Sequence, residues 1–155
     1  MLRLSKQADY GIVLLSYFLT GAPNGGGVVR SARELAEEAG LPLPTVSKVL
    51  KGLARGGILA SHRGVHGGYT LARPAAEINV AQIVAVLDGE IGVTDCSPLG
   101  GRECSHEPNC PVRDPLQRLN AVVRNALGRV SLDDLLAPVL PSGVHDEPGD
   151  RHGDH

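Results

Sequence analysis

The chain has 155 residues and a net charge of −2, and with no tryptophan and one phenylalanine any core that it forms must be aliphatic. No apolar run approaches the ~20 residues of a membrane-spanning helix, which excludes that class of membrane protein. Residues 1–20 lack the pattern of a secretory signal, so we expect a cytoplasmic protein with reduced cysteines and no membrane partner.

The charge is unevenly distributed along the chain. Residues 30–73 hold seven bases and three acids, whereas residues 74–137 hold nine acids and five bases. A basic half joined to an acidic half indicates a part that faces nucleic acid and a part with a different role.

Local signals predict two helices near the start of the chain. Apolar residues recur at helical spacing over 5–20, and Ser5 is suited to cap that helix. Ser31 and Glu34 have the spacing of a capping box, which predicts a short helix that ends at Gly40.

A third helix and a hairpin follow. Pro44 suits the first position of a helix that runs to about Arg55, where a glycine pair stops it. The short β-type runs 58–62 and 69–72 flank a glycine-rich loop and predict a hairpin.

The second half is predicted to be helical around a loop. We expect a helix from Val80 to about Leu87, a long helix over 111–129 and a short capped helix over 131–136. The long helix carries apolar residues at 3-4-3-4 spacing, which is typical of a two-helix coiled-coil seam. These seam residues are Leu116, Leu119, Val123, Ala126 and Val130.

The order of elements is that of a winged helix-turn-helix: mainly α with a small β-wing, plus a long C-terminal dimerisation helix. We expect the DNA-binding domain in residues 1–75, a cysteine-loop sensor with the dimerisation helix in 76–137, and a disordered tail in 138–155.

The third helix is predicted to enter the major groove of double-stranded DNA, with the wing over the flanking backbone or minor groove. Arg63 is the best candidate for reading bases, because its planar guanidinium can satisfy two acceptors. The alternative is a solvated basic face on a small helical module. The candidate DNA contacts are Arg33, Thr45, Ser47, Lys48, Lys51, Arg63, His66 and Tyr69.

All three cysteines, Cys96, Cys104 and Cys110, lie in one stretch broken by glycine and proline. An odd number in one loop favours soft-metal ligation or a reactive thiol over a disulfide framework. Their spacings of eight and six positions are wider than the pairs of a structural zinc site. A metal-free thiol switch and zinc both stay open as alternatives. We expect no enzyme, since no nucleophile–base constellation, phosphate loop or Cys-x-x-Cys motif is present.

Several short motifs occur together in this chain: Ala8-Asp9-Tyr10-Gly11, Thr45-Val46-Ser47-Lys48-Val49-Leu50-Lys51, Arg63-Gly64 with Gly67-Gly68-Tyr69, Leu87-Asp88-Gly89 and the three cysteines. In this combination they resemble the Rrf-two family of winged-helix regulators over residues 1–137. The start and the cysteine loop are most similar to the subgroup that regulates SUF-type iron–sulfur assembly.

The resemblance implies a homodimer with crossed long helices and an iron–sulfur cluster on the cysteine loop. Cluster state would change DNA affinity and so tie the transcription of cluster-assembly genes to cluster supply. We expect the protein to act as a repressor of those genes. A two-iron (2Fe–2S) cluster is expected in preference to a four-iron (4Fe–4S) cluster.

Two departures from the family pattern affect the ligand set. IscR-like members have a histidine three residues after the third cysteine, where this chain has Arg113, which cannot ligate. The first two cysteines are also farther apart than is usual. By similarity to NsrR-like members, Asp9 of the partner subunit is the first candidate for the fourth ligand. His106 is the second, and water or a small molecule is the third.

Overall fold

The computed structural model describes residues 3–20, 27–94 and 109–137, which form a mainly helical fold with one two-stranded antiparallel sheet. This confirms the predicted fold class. The elements are α1 (Lys6–Ser16), α2 (Ala32–Ala39), α3 (Leu43–Arg55), β1 (Leu59–His62), β2 (Gly68–Leu71), α4 (Val80–Asp88), α5 (Arg113–Gly128) and α6 (Leu132–Leu136), with a 3-10 turn at Ala75–Glu77. The predicted tail lies outside the described residues.

Helix α1 begins as predicted and ends early. The Ser5 hydroxyl accepts hydrogen bonds from the backbone N–H groups of Gln7 and Ala8, both at 3.1 Å. After Ser16 the backbone changes to bonds of the i→i+3 type, such as Phe18 N–H to the Leu15 carbonyl at 3.1 Å. This tighter winding ends the α-helix four residues before the predicted position 20.

The predicted capping box of α2 is confirmed. The Glu34 N–H donates to the Ser31 hydroxyl, and the Glu34 carboxylate accepts from the Ser31 N–H at 2.8 Å. The bond from the Ser31 backbone N–H, and after it the Ser31 side chain, lower the pKa of Glu34 because hydrogen bonds to the carboxylate favour its charged form. Gly40 closes the helix with a φ of 64°, as predicted.

The main core lies between α1, α3 and α4. The side chains of Leu14, Leu50, Leu53 and Ile83 are fully buried there. Gly11 allows α1 to approach α4 closely, because an added Cβ would collide with the side chain of Leu87. An aliphatic core therefore forms around α3 and fixes one of its faces.

The end of the chain returns to this core. The Leu132 N–H donates to the Ile78 carbonyl at 2.7 Å, and the Val80 N–H donates to the Val130 carbonyl at 2.9 Å. Leu132 itself is fully buried. Residues on both sides of position 75 thus contribute to one core, and the division of roles at that position stays a prediction.

Helix α5 presents two stripes. Its inward stripe consists of Leu116, Asn120, Val123 and Leu127, all buried or half-buried. Val130 also packs within the chain, against the cluster of Ala8, Val80 and Val84. The predicted seam therefore combines half-buried residues of the inward side with exposed ones, and as a contact between two copies it stays a prediction. The chain turns back toward α4 after Gly128, which directs Val130 inward. A second stripe is exposed: Pro115, Leu119, Val122 and Ala126.

Candidate nucleic-acid interface and cysteine site

Helix α3 has a buried face and a basic face. Val46, Val49, Leu50 and Leu53 are inward. On the opposite side Lys48, Lys51 and Arg55 are exposed, while Thr45 and Ser47 are half-buried. The helix is therefore held by its apolar side and presents amines and a guanidinium to solvent.

The start of α3 carries no negative charge. Pro42 is the N-cap residue, no side chain caps the helix, and no acid lies in its first turn. An acid there would stabilise the helix but would repel phosphate. Its absence suits an end that approaches a nucleic acid.

The wing follows α3 directly. Strands β1 and β2 pair from Leu59↔Leu71 to His62↔Gly68. The His62 ring nitrogen and the Thr70 hydroxyl form a cross-strand hydrogen bond of 2.9 Å. Arg63 and His66 lie in the exposed loop between the strands, so these two of the three predicted wing contacts point away from the core, and all three stay predictions.

Gly68 allows a third segment to join the wing. The N–H and carbonyl of Arg30 pair with those of Tyr69, at 2.9 and 2.8 Å. A Cβ at Gly68 would lie 2.5 Å from the Arg30 carbonyl oxygen, so only glycine permits this approach. Tyr69 is half-buried and packs against the main core, so its side chain contributes to wing stability.

Two of the seven bases in residues 30–73 are used within the chain. Arg30 pairs with Glu38 and donates to the Tyr17 carbonyl at 3.2 Å. Arg73 donates to the Glu77 carbonyl at 3.5 Å. The other five are exposed: Arg33 on α2, Lys48, Lys51 and Arg55 on α3, and Arg63 in the wing. We call these five the basic set.

The cysteine site is only partly described. Cys96, Cys104 and His106 lie outside the described residues. Cys110 has a free, half-exposed thiol, and its carbonyl accepts from the N–H of Arg113, the first residue of α5, at 3.3 Å. Among residues 3–20, 27–94 and 109–137, no three His, Cys, Asp or Glu side chains are grouped to hold a metal ion.

Asp9 lies at a separate cleft. It is exposed in the first turn of α1 and lines a cavity of about 700 Å³ together with Arg3, Lys6 and Asp88. Asp88 is a second carboxylate that sequence reasoning did not single out, and it accepts a hydrogen bond from the Ser5 hydroxyl. Cys110 does not line this cleft, so the described part of one chain does not bring Asp9 and a cysteine together.

The donor types suit an iron–sulfur group. Iron in such clusters takes thiolates and accepts an oxygen or nitrogen ligand in place of one. The chain offers three thiols and, in Asp9, an exposed carboxylate. Arg113 is exposed and contributes no ligand, because a guanidinium has no free lone pair.

Comparisons with known proteins agree with this architecture. The family model Rrf2, described as an iron-dependent transcriptional regulator, matches residues 4–138. The HTH-type transcriptional repressor NsrR of Streptomyces coelicolor is 30% identical over 151 residues, which cover 95% of this chain and 99% of that protein.

No helix in the described part of the chain is both long and apolar enough to cross a membrane.

Solved structures share the fold. The oxidized form of Staphylococcus aureus CymR is 26% identical with a TM-score of 0.62, covering 90% of this chain and 99% of that one. T. potens IscR, at 24% identity and a TM-score of 0.59, covers 87% of this chain and 86% of that one and supports the fold alone. The chain belongs to the Rrf2 family of transcriptional regulators, and its role is regulatory rather than enzymatic.

Proposed function

We propose that this protein represses genes of SUF-type iron–sulfur cluster assembly, and that an iron–sulfur cluster on its cysteine segment controls its binding to operator DNA. One observation carries the proposal. The matching family is described as iron-dependent, and the matched residues 4–138 contain Cys96, Cys104 and Cys110. The similarity to a named repressor supports the sign of the regulation.

The cysteines would hold the cluster, with Asp9 of the partner subunit or His106 as fourth ligand. A bound cluster supplies iron–thiolate bonds that tie the cysteines together and that respond to iron supply and oxidation. The 2Fe–2S form is our first expectation. The rest of the function belongs to the chain's own side chains.

The proposed DNA contacts are on α3 and the wing. Thr45 and Ser47 would reach base edges, because residues near the start of a recognition helix enter the major groove. Lys48 and Lys51 would contact phosphates, which position the protein without reading sequence. Arg63 and His66 in the exposed wing loop would contact the minor groove or its backbone.

A homodimer is part of the proposal. The exposed stripe of α5 includes Leu119, 44% exposed, and Val122, 64% exposed. Apolar residues at 3-4 spacing on an open helix face favour pairing with the same face of a second copy. Such a dimer would present two α3 helices to two operator half-sites in the cytoplasm.

A metal-free thiol switch is the second candidate. It is favoured by the similarity to Staphylococcus aureus CymR, whose structure was solved in an oxidized form. In this alternative two cysteines would form a disulfide under oxidation, and the bond would alter DNA binding. A third arrangement, a zinc ion that stabilises the loop, makes a different prediction about metal content.

Anaerobic purification tests the proposal. We expect a coloured protein that contains iron and acid-labile sulfide and loses its visible absorption in C96A, C104A and C110A. Ser105→Ala, in the same segment, is the matched control and should keep the colour. A colourless protein with stoichiometric zinc overturns the cluster. A metal-free protein whose DNA binding changes with oxidant, and no longer does so in the cysteine variants, establishes the thiol switch.

A further inference from the structure

Asn120 is a polar side chain in an apolar position. It lies on the inward stripe of α5 with Leu116, Val123 and Leu127, and it is 1% exposed. It is the one buried polar side chain in the described part of the chain. Burying an amide costs free energy unless its donors and acceptor are satisfied. A helix that needed only packing there would carry an aliphatic residue.

The amide of Asn120 is bonded on both sides. Its Oδ1 accepts the backbone N–H of Val93 at 2.7 Å. Its Nδ2 donates to the Thr94 hydroxyl at 2.9 Å. These partners are 27 and 26 positions away in sequence, so the two bonds join distant parts of the chain. We call this pair of bonds the Asn120 clamp.

The clamp lies where the cysteine segment leaves the described structure. Thr94 is two positions before Cys96, and covalent geometry therefore keeps their Cα atoms within about 7 Å of each other. Ile91, just upstream, packs against the cluster of Ala8, Val80 and Val84. At the other end of the segment, Cys110 leads directly into α5.

We propose that Asn120 is a positioning residue for the cysteine site. By holding Val93 and Thr94 on α5, it restrains the chain that leads into Cys96. The described residues on both sides of the cysteine segment are thereby joined to α5. The clamp itself is described geometry, whereas its effect on Cys96 is what we infer and the link to cluster sensing rests on the proposed function.

The first test uses the metal-free protein. Alkylation of each cysteine by iodoacetamide is followed by peptide mass spectrometry, with Cys110 as internal reference. Asn120→Ala should raise the alkylation rate of Cys96 relative to Cys110 by about tenfold, the factor expected when buried hydrogen bonds that restrain a segment are lost. Asn125→Ala, at an exposed amide on the same helix, should leave the ratio within about twofold of wild type.

A second pair of variants keeps the test decisive if Asn120→Ala fails to fold. Thr94→Val removes the hydroxyl that the Asn120 Nδ2 donates to, and it should raise the alkylation rate of Cys96 relative to Cys110. Thr94→Ser retains a hydroxyl and should keep this ratio at the wild-type value. A Cys96 ratio that is unchanged in both Asn120→Ala and Thr94→Val overturns the proposal. An equal rise in Thr94→Ser and Thr94→Val also overturns it, because the effect would not depend on the hydrogen bond.

The link to sensing is measured separately, as the ratio of DNA affinities with and without the cluster. That ratio should move toward one in Asn120→Ala, while the affinity of the metal-free form is retained. A wild-type protein that never acquires a cluster refutes the proposed function, and the alkylation experiment still decides the role of Asn120. A retained ratio in folded Asn120→Ala refutes the coupling.

Discussion

The basic set makes the salt dependence of DNA binding calculable. Each phosphate contact contributes about 0.9 to the slope of log K against log salt, so the five exposed bases allow a slope no steeper than about −4.5 for each bound chain. Lys51→Ala removes one of them. Lys51 is exposed on α3, and alanine is a better helix former than lysine, so the fold should be retained.

We expect Lys51→Ala to reduce the slope by about 0.9 for each bound chain, and by about 1.8 if two chains bind. At 0.1 M salt one lost contact corresponds to about eightfold weaker binding, and the difference vanishes near 1 M. Fluorescence anisotropy with a random-sequence duplex measures this, because the term does not depend on sequence.

Arg118→Ala is the matched control for the salt experiment. Arg118 is also exposed and lies on α5 rather than on α3 or the wing, so its loss should leave the slope unchanged. An unchanged slope in Lys51→Ala, or an equal change in Arg118→Ala, would refute the assignment of the DNA-facing surface.

Three further predictions follow from local geometry. Gly68→Ala places a Cβ 2.5 Å from the Arg30 carbonyl oxygen, which should disrupt the wing and abolish operator discrimination. The added Cβ of Gly128→Ala meets no neighbour, so this variant should instead be more stable than wild type by about 0.5 kcal/mol in urea unfolding. Glu34→Gln should destabilise the protein at neutral pH. Because the folded-state pKa of Glu34 is lowered, its contribution is full above the ordinary value of 4.5 and is lost as pH falls through the lowered pKa, so unfolding curves of variant and wild type should converge in acid. Val122→Asp should turn a dimer into a monomer in analytical ultracentrifugation, and a monomeric wild type contradicts the proposed assembly.

Elements with strong local signals could be predicted from the sequence. The α2 capping box and its closing glycine involve residues within one turn of each other, so their chemistry fixes the structure without help from the rest of the chain. The same capping logic applies at Asn79 and Gln82, which form a box at the start of α4. Sequence reasoning placed that helix correctly but did not identify its cap.

The orientation of α5 could not be read from spacing. Apolar residues occupy adjacent positions in the pairs Val122 and Val123, and Ala126 and Leu127, so two stripes one residue apart both show 3-4 spacing. The predicted seam mixed the two stripes. The deciding residue is Asn120, which looks solvent-facing in sequence and is buried because partners 26 and 27 positions away satisfy its amide.

The wing shows a second long-range effect. Arg30 was counted in the positive charge of residues 30–73, because charge alone does not show where a side chain goes. In the structure its backbone pairs with Tyr69 and its guanidinium with Glu38 and the Tyr17 carbonyl. The local excess of positive charge therefore overstated the number of bases that are exposed, and the five residues of the basic set are those left for the proposed DNA contacts.

The two stripes of α5 suggest how a signal at the cysteines would reach DNA. The inward stripe holds Val93 and Thr94, just before the cysteine segment, through Asn120, and the outward stripe would meet the second copy. In contrast, α3 is fixed to α1 and α4 by fully buried leucines, and a packed core does not deform gradually. A change at the cysteine segment would therefore alter how two copies meet along α5 more readily than it would reshape α3. Two recognition helices must be about one helical turn of DNA apart, or a multiple of it. A small change in the α5–α5 contact would alter the distance between the two α3 helices and would therefore change operator affinity.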